Sequence, residues 1–328
     1  MKYDIITIGS ATQDVFLSSD AFRVNVDSAS PAGSSICLPL GSKLGVGRIV
    51  FTSGGGGTNT AVTFARQGYR TAAIGIVGKD PAGTAILDEM RQERVDAKFF
   101  QIHDDDITAY SAILVTANGE RTILSYKGEG QHFEASDVPW DLLESTWLYV
   151  DSVGGRLEML EAAVAWAQRT GARMATNPDT KIFAVGLERL GPIWQAFDVV
   201  GMNREEAALI TGIPYREEEK LFRTMDDLIG GIFVMTEGSN GAKVSDGRFI
   251  YRAGIPNAKV VERTGAGDAF HSGFLAEFIR SGSVEKAIQM GTANASSVAM
   301  HYGAKEGILR AGDAGQFPLV AVTKRPLK

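Results

Sequence analysis

An α/β fold, with a mostly parallel central sheet flanked by helices and a small β-sheet lid, is predicted by three observations. Apolar strand patterns alternate with helix patterns through most of the 328 residues. Two stretches, residues 12–53 and 99–126, break that alternation and hold short β-like pieces rich in glycine and serine or alternating in polarity. The C-terminal third carries two long helix patterns.

Taken in order, residues 5–8 predict a first strand, 59–67 a helix, 71–77 a strand and 82–93 a helix. Strands over 147–150 and 173–176 bracket a helix over 157–169. A strand over 197–200 leads into a helix over 205–211, and 231–236 is again a strand. Helices over 266–281 and 284–300 complete the pattern, which a parallel sheet covered by helices explains. Residues 112–114 and 122–125 flank Asn118-Gly119, a strong hairpin signal. The two exceptional stretches are expected to pair as a sheet standing off the main one, a natural lid over a site. The whole chain, 1–328, reads as a single domain with that lid.

Composition excludes several classes. Apolar residues make up 44% and charged residues 22%, as in globular proteins. No apolar run approaches the roughly 20 residues of a membrane span, and the first residues read as a strand rather than a leader. The net charge of −6 and the lack of a basic block argue against nucleic acid. One cysteine, Cys37, permits no intrachain disulfide, so a reducing cytoplasm is the expected location. His103, His132, His271 and His301 lack metal-ligand spacing.

Chemistry concentrates in four motifs. Thr264-Gly265-Ala266-Gly267-Asp268 opens a helix, where unpartnered N–H groups and the helix dipole favour an anion. Small residues there let a phosphate approach the backbone. Asp268 in the same turn is placed to take a proton from a hydroxyl; an ordinary helix-start acid is the alternative. Ser53-Gly54-Gly55-Gly56-Gly57-Thr58-Asn59 precedes another helix, and Asn59 suits either hydroxyl binding or capping. Asn203-Arg204-Glu205-Glu206 follows a strand and also fits a capping box. Thr236-Glu237-Gly238-Ser239-Asn240-Gly241 follows another strand, with a plain turn as its alternative. These motifs, with Asp14 after the first strand, are expected to open onto one rim of the sheet, where parallel sheets bind ligands. Neither the dinucleotide G-x-G-x-x-G fingerprint nor the P-loop pattern occurs.

With these motifs in that order, the chain resembles the ribokinase-like, or PfkB, carbohydrate kinases over nearly its whole length. Gly54 through Asn59 and Ala61 to Gly68 and Gly78 match the first family signature, and Gly265–Asp268 through Gly273 the second. Gly78-Lys79-Asp80-Pro81-Ala82-Gly83 resembles a further family motif. The resemblance implies an ATP-dependent phosphotransferase acting on a hydroxyl of a small sugar, with a nucleoside or a phosphosugar as alternative acceptors. It implies Asp268 as base, with Gly265, Ala266 and Gly267 N–H groups as anion hole. Asp14, Gly55, Asn59 and Asp151 would hold the acceptor. Asn203, Thr236, Gly238, Gly241 and Asn294 would lie along the nucleotide, and Glu206 would act on Mg2+ through water. Glu262-Arg263-Thr264 departs from the family's Asp-Thr-Thr, which argues against a monovalent cation. For a phosphosugar, Arg263, Lys43 and Arg121 are the candidate cations. The exposed edges of a lid sheet predict a homodimer that pairs lids.

Overall fold

The first strand, β1 (Tyr3–Ile8), buries side chains on both faces, which places it inside a covered sheet. It belongs to a computed structural model that describes residues 2–27, 33–116 and 120–327. After it come β2 (Thr12–Ser18), β3 (Arg23–Val26), β4 (Ser34–Cys37), β5 (Arg48–Gly54), α1 (Gly56–Arg66), β6 (Thr71–Ile74) and β7 (Ile76–Gly78). Next are α2 (Pro81–Gln92), β8 (Gln101–His103), β9 (Ala109–Val115), β10 (Arg121–Tyr126), β11 (Ser145–Val150), α3 (Leu157–Thr170) and β12 (Arg173–Thr176). Then follow α4 (Leu187–Trp194), β13 (Val199–Asn203), α5 (Arg204–Thr211), α6 (Glu218–Leu228) and β14 (Ile232–Thr236). The chain closes with β15 (Ala242–Ser245), β16 (Phe249–Ala253), α7 (Ala266–Ser281), α8 (Val284–Val298) and β17 (Val322–Pro326).

Nine strands form the large sheet, in the order β17-β16-β15-β14-β13-β12-β11-β1-β6. From β6 to β14 the neighbours are parallel; β15, β16 and β17 extend the sheet antiparallel. Side chains alternate between two cores. Ile6, Leu148 and Phe233 face α3, α4 and α6 through Leu160, Trp166, Trp194 and Phe222. Ile5, Trp147 and Val234 face α7 and α8 through Phe270, Phe274 and Ile288. Each such buried large side chain stabilises the fold by about 1.5–3 kcal/mol.

A separate four-stranded sheet has the order β10-β9-β2-β5. Its inward face packs Phe16, Ile113 and Val115 against Val50 and Tyr302. Its strands come from the two exceptional stretches, with two differences. β3 and β4 pair only with each other. β8 pairs with β7 rather than joining the small sheet. The predicted Asn118-Gly119 turn lies outside the described residues.

Other boundaries moved for physical reasons. The single strand expected over 71–77 breaks at Gly75, where a Cβ would press on Gly9 O and the Phe100 ring. The helix expected from residue 59 starts at Gly56 instead. Glycine is a poor helix former, but a Cβ on Gly57 would strike the backbone of Gly9 and one on Gly56 would overlap the Asp151 carboxylate. Close approach overrides propensity here.

Candidate active site

Four of the parallel strands end on one rim and deliver the motif residues there. Asp151 directly follows β11, and its N–H donates to Ile8 O at 2.8 Å, fixing it beside the end of β1. Gly55 caps α1 with φ +92° against Ser10, a conformation that favours glycine. Asn203 ends β13 and caps α5, and Thr236 ends β14.

Asp268 sits in the first turn of α7, whose cap Gly265 is left-handed at φ +76°. Asn59 Nδ2 donates to Asp268 Oδ2 at 2.8 Å, joining the starts of α1 and α7. Burial raises the Asp268 carboxyl above its ordinary range; the Asn59 hydrogen bond and the Lys305 ammonium oppose this, and Asp14 adds to it. Burial pushes Asp151 well above the carboxylate range, and the charge of Asp268 pushes it further. Ser152 N–H donates to Asp151 Oδ1 at 2.6 Å. Asp151 Oδ2 and Asn59 Oδ1 are buried without a hydrogen-bond partner among the described residues. Such unpartnered polar atoms call for groups that both donate and accept, which hydroxyls do.

Asp14 lies on β2, on the small sheet's inward face, and accepts from Thr12 Oγ1 at 3.1 Å. Burial raises its carboxyl; hydrogen bonds from Ser111 and Thr12 and the charges of Lys305 and Lys127 restrain it.

A groove of about 450 Å³ runs from Asp268 along Ala266, Gly267, Asn203, Glu206, Thr236 and Gly238. No atom lies within 4 Å of where a Gly267 Cβ would stand, so the backbone is open to a ligand. Ala266 N–H already turns back to Arg263 O at 3.3 Å, a long bond that an anion would share. Asn203 and Glu206 form a reciprocal capping box, at 2.8 and 2.7 Å. Burial lifts the Glu206 carboxyl to about 7, with Asn203 N–H opposing and Asp268 contributing. The groove fits a nucleotide triphosphate: an open helix N-terminus for anions, and apolar Ile255, Val260 and Ala299 for a base. Among the described residues no cluster of three or more His, Cys, Asp or Glu could hold a metal.

Two residues expected along the nucleotide stand back from the groove lining. Asn294 is fully buried; its Nδ2 donates to Ala269 O at 2.8 Å and its Oδ1 accepts from Leu309 N–H at 2.9 Å. The α8 residues on the groove are Ala295 and Ser296, joined by Ala299 just past the helix end. Gly241 is buried too, with φ +89° and no room for a Cβ beside Ala253 O, so it shapes the turn into β15. Glu262 is fully buried; its Oε2 accepts from Thr264 N–H at 2.7 Å, and burial raises its carboxyl against the nearby Arg121 charge.

Sequence reasoning missed Lys305. Only 3% exposed, it hydrogen-bonds Ser53 Oγ and lies 3.5 Å from Glu89 Oε2. Burial lowers its ammonium, while Glu89, Asp14 and Asp268 hold it up. Its loop carries no periodicity, and no motif pointed to it.

Residues 29–310 match the pfkB family of carbohydrate kinases. The chain belongs to that family. It is an ATP-dependent carbohydrate kinase with a ribokinase-like fold. It is 27% identical over 242 residues to a probable fructokinase-7 of Arabidopsis thaliana, covering 68% of each chain. It is 26% identical over 264 residues to a ribokinase of Haemophilus influenzae, covering 78% of this chain and 83% of that one. The solved adenosine kinase of Sinorhizobium meliloti superposes with a TM-score of 0.76 at 25% identity, covering 93% of this chain and 96% of that one. No helix among the described residues is long and apolar enough to cross a membrane.

Proposed function

We propose that this kinase moves the γ-phosphoryl group of ATP to a hydroxyl of a small sugar, with Asp268 as the base. The observation that carries the reading is the Asn59–Asp268 hydrogen bond at the start of α7, between the nucleotide groove and the buried acceptors of Asp151 and Asn59. The acceptor oxygen attacks the γ-phosphorus as the bond to the β-phosphate oxygen breaks. The hydroxyl proton passes to Asp268, and ADP leaves. A carboxyl raised by burial is a better base near neutral pH than an exposed one.

Gly265, Ala266 and Gly267 N–H groups, with the α7 dipole, neutralise the transferring group. Asp14, Asn59 and Asp151 orient the acceptor hydroxyls, and Gly55 leaves the approach clear. Asn203, Thr236 and Gly238 border the nucleotide, and Glu206 orders water on Mg2+. Glu262 receives positive charge from Arg121, and no monovalent cation is invoked. The small sheet serves as a lid on a single domain and as the contact of a homodimer, and the enzyme works in the cytoplasm without nucleic acid or membrane partners.

A nucleoside acceptor is a second reading, because Ile76, Phe133 and Val153 line a pocket beside Asp14 that would cover a base. The test measures ADP release over a panel of sugars and nucleosides. Asp268→Asn lowers kcat by about 10²–10⁴ while ATP affinity holds; unchanged turnover would rule out this base.

A further inference from the structure

On the other side of the carboxylates lies a second cavity, of about 390 Å³, walled by Ser10, Thr12, Phe133, Ser152 and Val153. Thr12 donates to Asp14, and Ser152 N–H donates to Asp151. The two acids proposed to hold the acceptor do not themselves line the cavity; they stand directly behind these two wall residues, at one end of it.

Its remaining charges are of the opposite sign. Lys127, Arg156 and Lys181 line the cavity against one carboxylate, Asp179. The Asp179 oxygens are engaged by backbone, accepting from Lys181 N–H at 2.8 Å and Gly154 N–H at 3.0 Å. Among the described residues, none of the three cations makes an ion pair within 4 Å. Arg156 instead donates to Gln131 O, itself in the wall. They come from three separate segments: after β10, before α3 and after β12. Lys127 is also near enough to act on the charge of Asp14. Lys127 and Lys181 are exposed and Arg156 half-buried, and three cations against one backbone-engaged carboxylate leave the lining net positive, which favours an anion over a neutral sugar.

The geometry points to an anionic acceptor: a polyol or sugar whose hydroxyls meet Asp14, Asn59 and Asp151 and whose carboxylate or phosphate group is bound by Lys127, Arg156 and Lys181. This rests on the kinase reading for the direction of the reacting hydroxyl, but the cations are independent of it. They are also different side chains from Arg263, Lys43 and Arg121, which the sequence offered. Arg121 stands beside Glu262, and Arg263 lines the nucleotide groove.

The experiment compares matched pairs on the full chain, gluconate with glucose and fructose 6-phosphate with fructose, plus adenosine. ADP release and thermal shift without nucleotide are both read. One anionic member exceeds its neutral partner in kcat/KM by about tenfold or more, and which pair responds separates carboxylate from phosphate. Lys181→Gln and Lys127→Gln each cut that discrimination about tenfold while the KM for ATP holds. Equal turnover within both pairs, a clear preference for adenosine, or unaltered discrimination in both variants overturns the inference and leaves the kinase standing. Selective stabilisation by an anionic polyol, lost in Lys181→Gln, without ADP release from any acceptor, supports the subsite and overturns the proposed direction of the reacting hydroxyl toward Asp268 instead.

Discussion

Asn59 Nδ2 donates to Asp268 Oδ2 at 2.8 Å, across 209 residues of sequence. The bond ties the first residues of α1 to the first turn of α7, so the two glycine-rich motifs meet at one carboxylate. It also favours the ionised form of Asp268 against the burial that raises its carboxyl.

Removing that donor has a signed consequence. In Asn59→Ala, Asp268 loses a group that stabilises its anion, and its pKa moves further up. The acidic limb of the kcat–pH profile shifts to higher pH, and kcat at neutral pH falls about tenfold or more, as for a hydrogen bond to a charged group. Steady-state rates across the pH range check this; an unmoved limb means that Asn59 does not act on Asp268.

Lys305 acts on the same carboxylate from another direction. Lys305→Met keeps the length of the side chain and removes its charge, so Asp14 and Asp268 both lose a nearby cation. A raised acidic limb and an about tenfold loss in kcat/KM are expected. Stability falls, because buried carboxylates lose a compensating charge, but the loss is limited because Glu89 retains access to water. Urea denaturation beside the pH profile separates the two effects. A collapse in stability with an unmoved limb would make Lys305 structural only.

How legible this site was depended on whether each residue's reason is local. The 264–268 run showed itself because small residues at a helix start have a local meaning, whatever they bind. Asn203 and Glu206 also showed themselves locally, and the structure gives them the capping box that was their plainer alternative. Asn294 is held inward by Ala269 and Leu309, and Gly241 packs so close to Ala253 that no side chain fits, neighbours that spacing does not reveal. Lys305 depends wholly on distant Ser53 and Glu89. In the fold, strands buried on both faces stood out as apolar runs. The antiparallel β15, β16 and β17 did not: β15 buries the polar Lys243 and Ser245, β16 carries the exposed Arg252, and β17 is mostly exposed.

The small sheet has a second face, turned away from Asp14. Cross-strand register places Ile49 and Phe51 of β5 on that face with Leu124 and Tyr126 of β10. They are 54%, 64%, 58% and 49% exposed, an apolar surface that a second copy of the chain would cover. Light scattering is expected to give twice the 35.1 kDa chain mass, and Phe51→Asp to halve it. A monomeric wild type at micromolar concentration contradicts the pairing.

Glu206 makes stability depend on pH in a direction opposite to that of most carboxylates. Burial raises it from 4.5 to about 7, so the folded protein binds this proton more tightly than the unfolded chain does. The stabilisation is complete below about pH 4.5 and is lost as pH rises through about 7. Glu206→Gln keeps a side-chain acceptor for Asn203 N–H and has no proton to release. The stability of the wild type relative to this variant, from urea denaturation without nucleotide, should therefore fall by up to about 3 kcal/mol across that window. Asp151 and Asp268 titrate in the same sense but are present in both proteins, so their shared part cancels. ATP with magnesium brings a cation toward the carboxylate, favours its ionised form and moves the window to lower pH. A difference that stays flat with pH, with or without nucleotide, would show that folding does not raise the Glu206 carboxyl.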